Sequence, residues 1–244
     1  MQKKVFFVFI LIFTYSCNNL SVEPDLKELN KYGLVFILHS WSNNQFGVLT
    51  KTNKPIEPGN EVEVVKNFVD SANVTINGIK LISIPKDSVI RFNHNHNITH
   101  LINYYTENLN PEPEKEYELK ISLKGENLLT GSTILPPKVK FTKITQDEKF
   151  YYVHWETNAT LKAGWALRGG KEMQKIISGA SSYVNFAKIN KKYVNIYDDF
   201  QLRIYTFDNN LTKYKSKQIE RSGINNQFGV FGSITRTIIK IKFN

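Results

Sequence analysis

Hydrophobic and polar positions along this 244-residue chain alternate mostly with a period of two, in short runs divided by turn residues. Residues 34–38 form a brief continuous apolar run, the pattern of a buried strand. Residues 72–76 and 80–84 flank Asn77-Gly78, a pair that tolerates positive φ at both positions and predicts a type I′ hairpin. Tyr117, Leu119, Ile121 and Leu123 alternate with Glu118, Lys120, Ser122 and Lys124, which predicts a strand with one wet face. The segment 124–127 then supplies a turn. Further on, Tyr151, Val153 and Trp155 share a face, as do Leu202 and Ile204. Thr237, Ile239, Ile241 and Phe243 alternate with Arg236, Ile238, Lys240 and Lys242. No helical periodicity runs beyond two turns.

Pro136-Pro137 is the predicted domain boundary. Proline donates no ladder hydrogen bond and pushes its predecessor into extended geometry, so a sheet should not continue through the pair. The fold expected is all-β: two β-sandwich domains of immunoglobulin or fibronectin type in tandem, spanning 34–137 and 138–244. The hexapeptide Asn-Asn-Gln-Phe-Gly-Val occurs at 43–48 and again at 225–230. Nothing else repeats around it, so it reads as coincidence or a shared turn, not as a solenoid.

The N-terminus changes the picture from fold to location. Lys3 and Lys4 precede an unbroken apolar run at 5–13, and Cys17, the only cysteine, follows at once. An apolar run this short is a secretory signal, since a membrane span needs about 20 residues. A cysteine directly behind it reads as a lipoprotein processing site. Residues 1–16 would be removed, Cys17 acylated, and residues 17–33 left as a tether. Thr14 and Tyr15 depart from the usual box, while Ser16 fits it. The alternative is an ordinary cleaved signal with an incidental thiol. Acylation accounts for a lone cysteine that cannot form a disulfide within the chain.

Charge is unevenly placed. Residues 18–140 carry 13 Lys+Arg against 14 Asp+Glu, and residues 141–244 carry 17 against 8, net +9. Such asymmetry marks either a face for an anionic surface or a solubilising excess of lysine. Lys213, Lys215 and Lys217 alternate along an expected strand with Tyr214 opposite. They are a candidate partner surface, or the protected edge of a sheet. Nucleic acid is not an expected partner for a chain tethered outside the cytoplasm.

Catalytic chemistry is thin. His94, His96 and His100 would share a face if 94–100 were one strand, which would suit a three-imidazole zinc site. The stretch is asparagine-rich, however, and in a loop that parity lapses. His39 and His154 sit inside apolar strands and read as packed and hydrogen-bonded. Ser83 and Lys86 have the spacing of a serine–lysine nucleophile pair, but Pro85 argues against the helix that chemistry requires. Asp198-Asp199 and Gly169-Gly170 read as turns. No G-x-S-x-G, H-E-x-x-H or phosphate-binding glycine loop occurs. The sequence predicts no enzyme and no cofactor, against the alternative of a hydrolase or metal enzyme whose site converges only in three dimensions.

Several segments together resemble a known family. They are the lipoprotein signal, 69–78 (VDSANVTING), 113–119 (PEKEYEL), 129–136 (LTGSTILP), Gly223-Ile224 and 229–233 (GVFGS). The chain resembles a family of outer-membrane lipoproteins of unknown function from Bacteroidota-type genomes, which pair an immunoglobulin-like domain with a second β domain. Lys115 and Asn226-Gln227 stand where that family carries glycine. The resemblance implies lipid anchoring at the cell outer membrane and a non-catalytic binding role. It also implies accessory action beside a TonB-dependent receptor, or surface adhesion. A structural envelope protein that grips an anionic glycan or similar component is the other expectation.

Overall fold

The computed structural model describes residues 32–51, 66–85, 90–94, 98–156, 163–169, 175–182, 185–194, 200–215, 221–225 and 227–243. The signal segment, Cys17 and the tether up to residue 31 lie outside them, as do Lys86, His96, Gly170, Asp198, Asp199 and Lys217.

The described chain is nearly all β. A nine-stranded sheet runs in the order β14 (Lys175–Ser182), β13 (Ala163–Gly169), β16 (Phe200–Phe207), β18 (Phe228–Ile241), β1 (Tyr32–His39), β2 (Gln45–Lys51), β8 (Tyr104–Thr106) and β5 (Ile82–Ser83). A short strand, β17 (Arg221–Ser222), joins it beside β18. A four-stranded sheet is built from β10 (Glu126–Ile134), β9 (Glu116–Leu123), β3 (Asn73–Ile76) and β4 (Ile79–Lys80). A three-stranded sheet holds β11 (Lys140–Gln146), β12 (Phe150–Glu156) and β15 (Phe186–Asn190). The strands β6 (Ile90–His94) and β7 (Ile98–Ile102) pair as a hairpin. Residues Tyr32 and Gly33, expected in the tether, are the first of β1, because both pair with β2 and Gly33 also with β18.

Two apolar cores follow from the alternation. The first joins Leu34, Phe36, Leu38, Leu49 and Tyr104 of the long sheet to Val74, Ile76, Tyr117, Leu119, Ile121 and Leu129 of the four-stranded sheet. The second joins Leu167, Leu202, Ile204 and Ile241 of the long sheet to Val153, Trp155, Ala187 and Ile189 of the three-stranded one. Each is a sandwich of two sheets, and the long sheet contributes one layer to both. The hairpin at Asn77-Gly78 forms as predicted, with φ of 47° and 80° and Ile76 opposite Ile79. Lys124 and Gly125 make a second turn with φ of 52° and 87°.

Strand β18 is twice the length that the alternation from Thr237 predicts. Its first six residues are all buried and only Ser233 among them is polar, so no alternation marks a strand there. From Phe228 to Ile234 the chain lies parallel to β1, and from Ile234 to Ile241 it lies antiparallel to β16. One face of β18 reads Phe231, Ser233, Thr235, Thr237, Ile239, Ile241. Phe231 belongs to the first core and Ile241 to the second.

The hydroxyls between them meet the link between the sandwiches. Ser233 Oγ donates to the Ile134 carbonyl (3.0 Å), Thr235 Oγ1 donates to the Pro136 carbonyl (2.5 Å), and the Val139 N–H donates to Thr237 Oγ1 (3.0 Å). Pro136 and Pro137 donate nothing, so side chains take over where backbone pairing fails. Asp208 completes this junction. Its carboxylate accepts from Thr133 Oγ1 (2.6 Å) and from the Leu211 N–H (2.8 Å), the latter capping helix α1 (Asn209–Lys215).

The repeated hexapeptide proves to have a shared job. Its two copies flank β1, and Val48 and Val230 both lie opposite Val35. The Tyr32 N–H donates to Gln227 Oε1 (3.1 Å) and the His39 N–H to Gln45 Oε1 (2.9 Å), so the two glutamines close the two ends of the strand. The glycines allow the close approach. A Cβ on Gly229, at φ 113°, would overlap the Leu34 carbonyl, and one on Gly47 would overlap the Phe36 ring.

Two outcomes test this junction. Thr235→Val keeps shape but leaves the Pro136 carbonyl buried without a donor, so urea unfolding should show a loss of about 1–3 kcal/mol. Burial pushes the Asp208 carboxyl above its ordinary value, against the hydrogen bonds that favour its ionised form. The folded state therefore holds this proton more tightly than the unfolded chain. Stability from this group is greatest in acid and falls as pH rises from the ordinary carboxylate range, near about 4, to the raised folded value. Asp208→Asn removes that titration. Urea midpoints at pH 4 and pH 7.5 should show the wild type losing ground to the variant at the higher pH.

Candidate anion-binding site

Three arginines from distant parts of the sequence gather on the face of the long sheet that points away from the second core. Leu167 and Leu202 are paired and fully buried, so their neighbours Arg168 and Arg203 point the other way. Arg168 lies opposite Gln201, Arg203 lies between Ala166 and Ile238, and Arg236 lies opposite Tyr205. The three thus form a diagonal across β13, β16 and β18, with successive positions about 7–8 Å apart. Exposed Lys240 shares the β18 face.

The first sandwich contributes an aromatic bracket. The turn after β1 is pinned to β18 by the Arg236 N–H, which donates to Ser40 Oγ (3.1 Å). His39 stacks on Trp41 with centroids 4.7 Å apart, and the Arg236 guanidinium lies 5.0 Å from the Trp41 ring centre. Tyr205 meets Trp41 edge-on at 5.7 Å. This cation–π contact fixes where Arg236 sits.

The electrostatics are unbalanced. Among the described residues, no carboxylate forms an ion pair with any of the three arginines; the ion pairs involve Lys115, Lys120 and Lys140. Nε of Arg168 and of Arg203 is sealed from solvent without an acceptor. One terminal nitrogen of Arg203 reaches Gln201 Oε1 only at 3.5 Å. Burial, and then the charges of Arg203 and Arg168, pull Arg236 below the usual arginine value, while the Tyr205 hydroxyl works in the opposite direction. Guanidinium forks match the oxygens of phosphate, sulfate and carboxylate, so an anion set on this diagonal would offset the charge and accept from the terminal guanidinium nitrogens, though not from the two sealed Nε donors.

The sequence-predicted candidates fall elsewhere. Lys213 and Lys215 belong to α1, not to a strand, and Lys217 lies outside the described residues. The strand on which the lysine face was expected is therefore a helix over Lys213 and Lys215. The overlooked signal was Asp208, a capping residue ahead of Leu211 and Tyr214 at helical spacing. Cys17 lies outside the described residues. His94 ends β6 opposite Ile98, and His100 lies in β7 opposite Phe92. Among the described residues, no three His, Cys, Asp or Glu side chains are grouped to hold a metal ion. His154 Nε2 lies 2.8 Å from Thr145 Oγ1, and its ring packs on Phe186. Ser83 is on strand β5, where its Oγ donates to the Asp70 carbonyl.

No family model matches the chain, and no curated protein does. Among solved structures it is similar to the crystal structure of domains A168–A170 from titin, at 9% identity with a TM-score of 0.21. That match covers 85% of this chain and 65% of the titin fragment. The sandwich architecture itself stands on the strand pairing and the two cores.

The arginine diagonal was illegible as a motif, because its members are separated by whole strands. The usable signal was local: each arginine occupies an outward position beside a buried one, in a half of the chain poor in acid. A direct outcome follows. At constant ionic strength, millimolar inorganic phosphate should raise the melting temperature of the wild type by preferential binding to the folded state. The shift should vanish in the Arg168→Gln, Arg203→Gln, Arg236→Gln triple variant.

Proposed function

We propose that this chain is a lipid-anchored cell-envelope protein of non-catalytic binding type, which holds an anionic envelope component on Arg168, Arg203 and Arg236. The observation that carries the reading is the half-buried arginine diagonal without a carboxylate partner among the described residues. Charges partly withdrawn from water are costly unless paired, and like charges side by side add to that cost. An external anion relieves both. The +9 balance of residues 141–244 supports the same choice by drawing anionic surfaces toward this half of the chain.

The anchor rests on the sequence of the first seventeen residues. Two or more acyl chains on Cys17 would give stable attachment, whereas one chain alone binds a bilayer weakly and reversibly. Residues 18–31 extend at most about 50 Å, so the sandwiches would stay close to the membrane surface. Among the described residues, no helix is long and apolar enough to cross a membrane.

The test is covalent. In a bacterial host that processes lipoproteins, intact-mass analysis should find the chain beginning at an acylated Cys17. Cys17→Ser should move the protein from the membrane fraction to the soluble one. An unmodified sulfur in membrane-extracted protein overturns the anchor.

A further inference from the structure

We infer that the β1–β18 pair is a tension-bearing clamp, built to resist force between the N-terminal tether and an anion held on the second sandwich. The inference rests on the anchored-binding reading for the source of the force, and on strand geometry for the resistance. The chain enters β1 at Tyr32, on the side of the tether. It runs parallel to β18 through seven register pairs, from Gly33 opposite Phe228 to His39 opposite Ile234. Arg236, the residue of the arginine diagonal on β18, lies just beyond the last of these pairs.

Tension therefore pulls β1 backward along its own axis and β18 forward along the same axis. In a parallel ladder the hydrogen bonds are evenly spaced, and opposed axial pulling stretches them together instead of opening them one at a time. The second neighbour of β1 strengthens the case, because β2 pairs with it over Tyr32 to Phe36 and must be sheared as well. From Ile234 onward, β18 makes eight pairs with β16, so its far half is also held along the pulling direction. The Phe36 and Phe231 rings meet edge to face at 6.2 Å across the loaded pair, and sliding would break that contact in the same event. Gln227 and Gln45 bond the first and last N–H of β1, so neither end of the strand starts open.

The same ladder is weak to a different pull. Because β1 and β18 are parallel, their starts lie side by side, and force applied at those two starts peels the pairs in sequence. Single-molecule force spectroscopy separates the cases on one folded protein. Residues 17–244 are made without acylation, so the Cys17 thiol is a natural handle. The second handle is Asn244→Cys in one version and Asn226→Cys in the other. Forced rupture reports the unfolding barrier along the pulling axis. At equal loading rate, the 17–244 geometry should rupture at no less than about twice the force of the 17–226 geometry, since several bonds rather than one must fail together. A ratio below about two, including equal forces or a weaker 17–244 geometry, overturns the clamp whatever the state of Cys17. The twofold ratio supports it even where Cys17 is found unacylated in cells, an outcome that removes the anchor reading and leaves the mechanical one.

Discussion

The junction between the sandwiches depends on how a buried chain segment that cannot pair as a strand is kept satisfied. Pro136 and Pro137 end the ladder after β10, yet the carbonyls around them are covered by protein. Carbonyls left bare inside would cost more than most single contacts return. Strand β18 solves this by placing Ser233, Thr235 and Thr237 on its inner face, where Phe231 and Ile241 mark the two cores on either side. A hydroxyl is small enough to be buried in a strand, and it can donate or accept as the neighbour requires. A strand of uniform valine and isoleucine would leave the proline link unbonded. A flexible link would need no such strand, and the two sandwiches would then move independently.

The same strand settles the position of the candidate site. Its inner face ties the cores together, so its outer face is held in register with both sandwiches. Arg236 can therefore rest on Trp41, from the turn after β1, while standing beside Arg203 from β16. The site draws its residues from both halves of the chain, and its geometry is as rigid as the junction beneath it. Asp208 extends this coupling. A buried carboxylate is tolerated there because a hydroxyl of β10 and an N–H of α1 both point at it.

Much of the fold was readable where one strand face is wet. The alternation at 117–123 and the Asn77-Gly78 turn each form as the pattern required, since solvent on one side writes polarity into every second residue. The alternation fails where both faces are covered. Residues 228–233 carry no polar marker other than Ser233, so half of the longest strand went unread. The strand expected at Lys213 and Lys215 is a helix for a different reason. A two-residue period is also produced by chance on a short helix, and the capping carboxylate that decides between the two states stands outside the stripe. The arginine diagonal depends on register between strands far apart in sequence, which no local pattern encodes.

The hexapeptide repeat shows what a short identical segment can mean when its surroundings differ. One copy enters an antiparallel neighbour of β1 and the other a parallel one, so no backbone symmetry relates them. What they share is chemical: a glutamine to bond an end of β1, a glycine that lets the backbone or a ring come close, and a valine opposite Val35. Both flanks of one strand impose the same local demand on neighbours of opposite direction. Sequence identity here records a common packing requirement, and it appears only once β1 is recognised as the strand that both copies enclose.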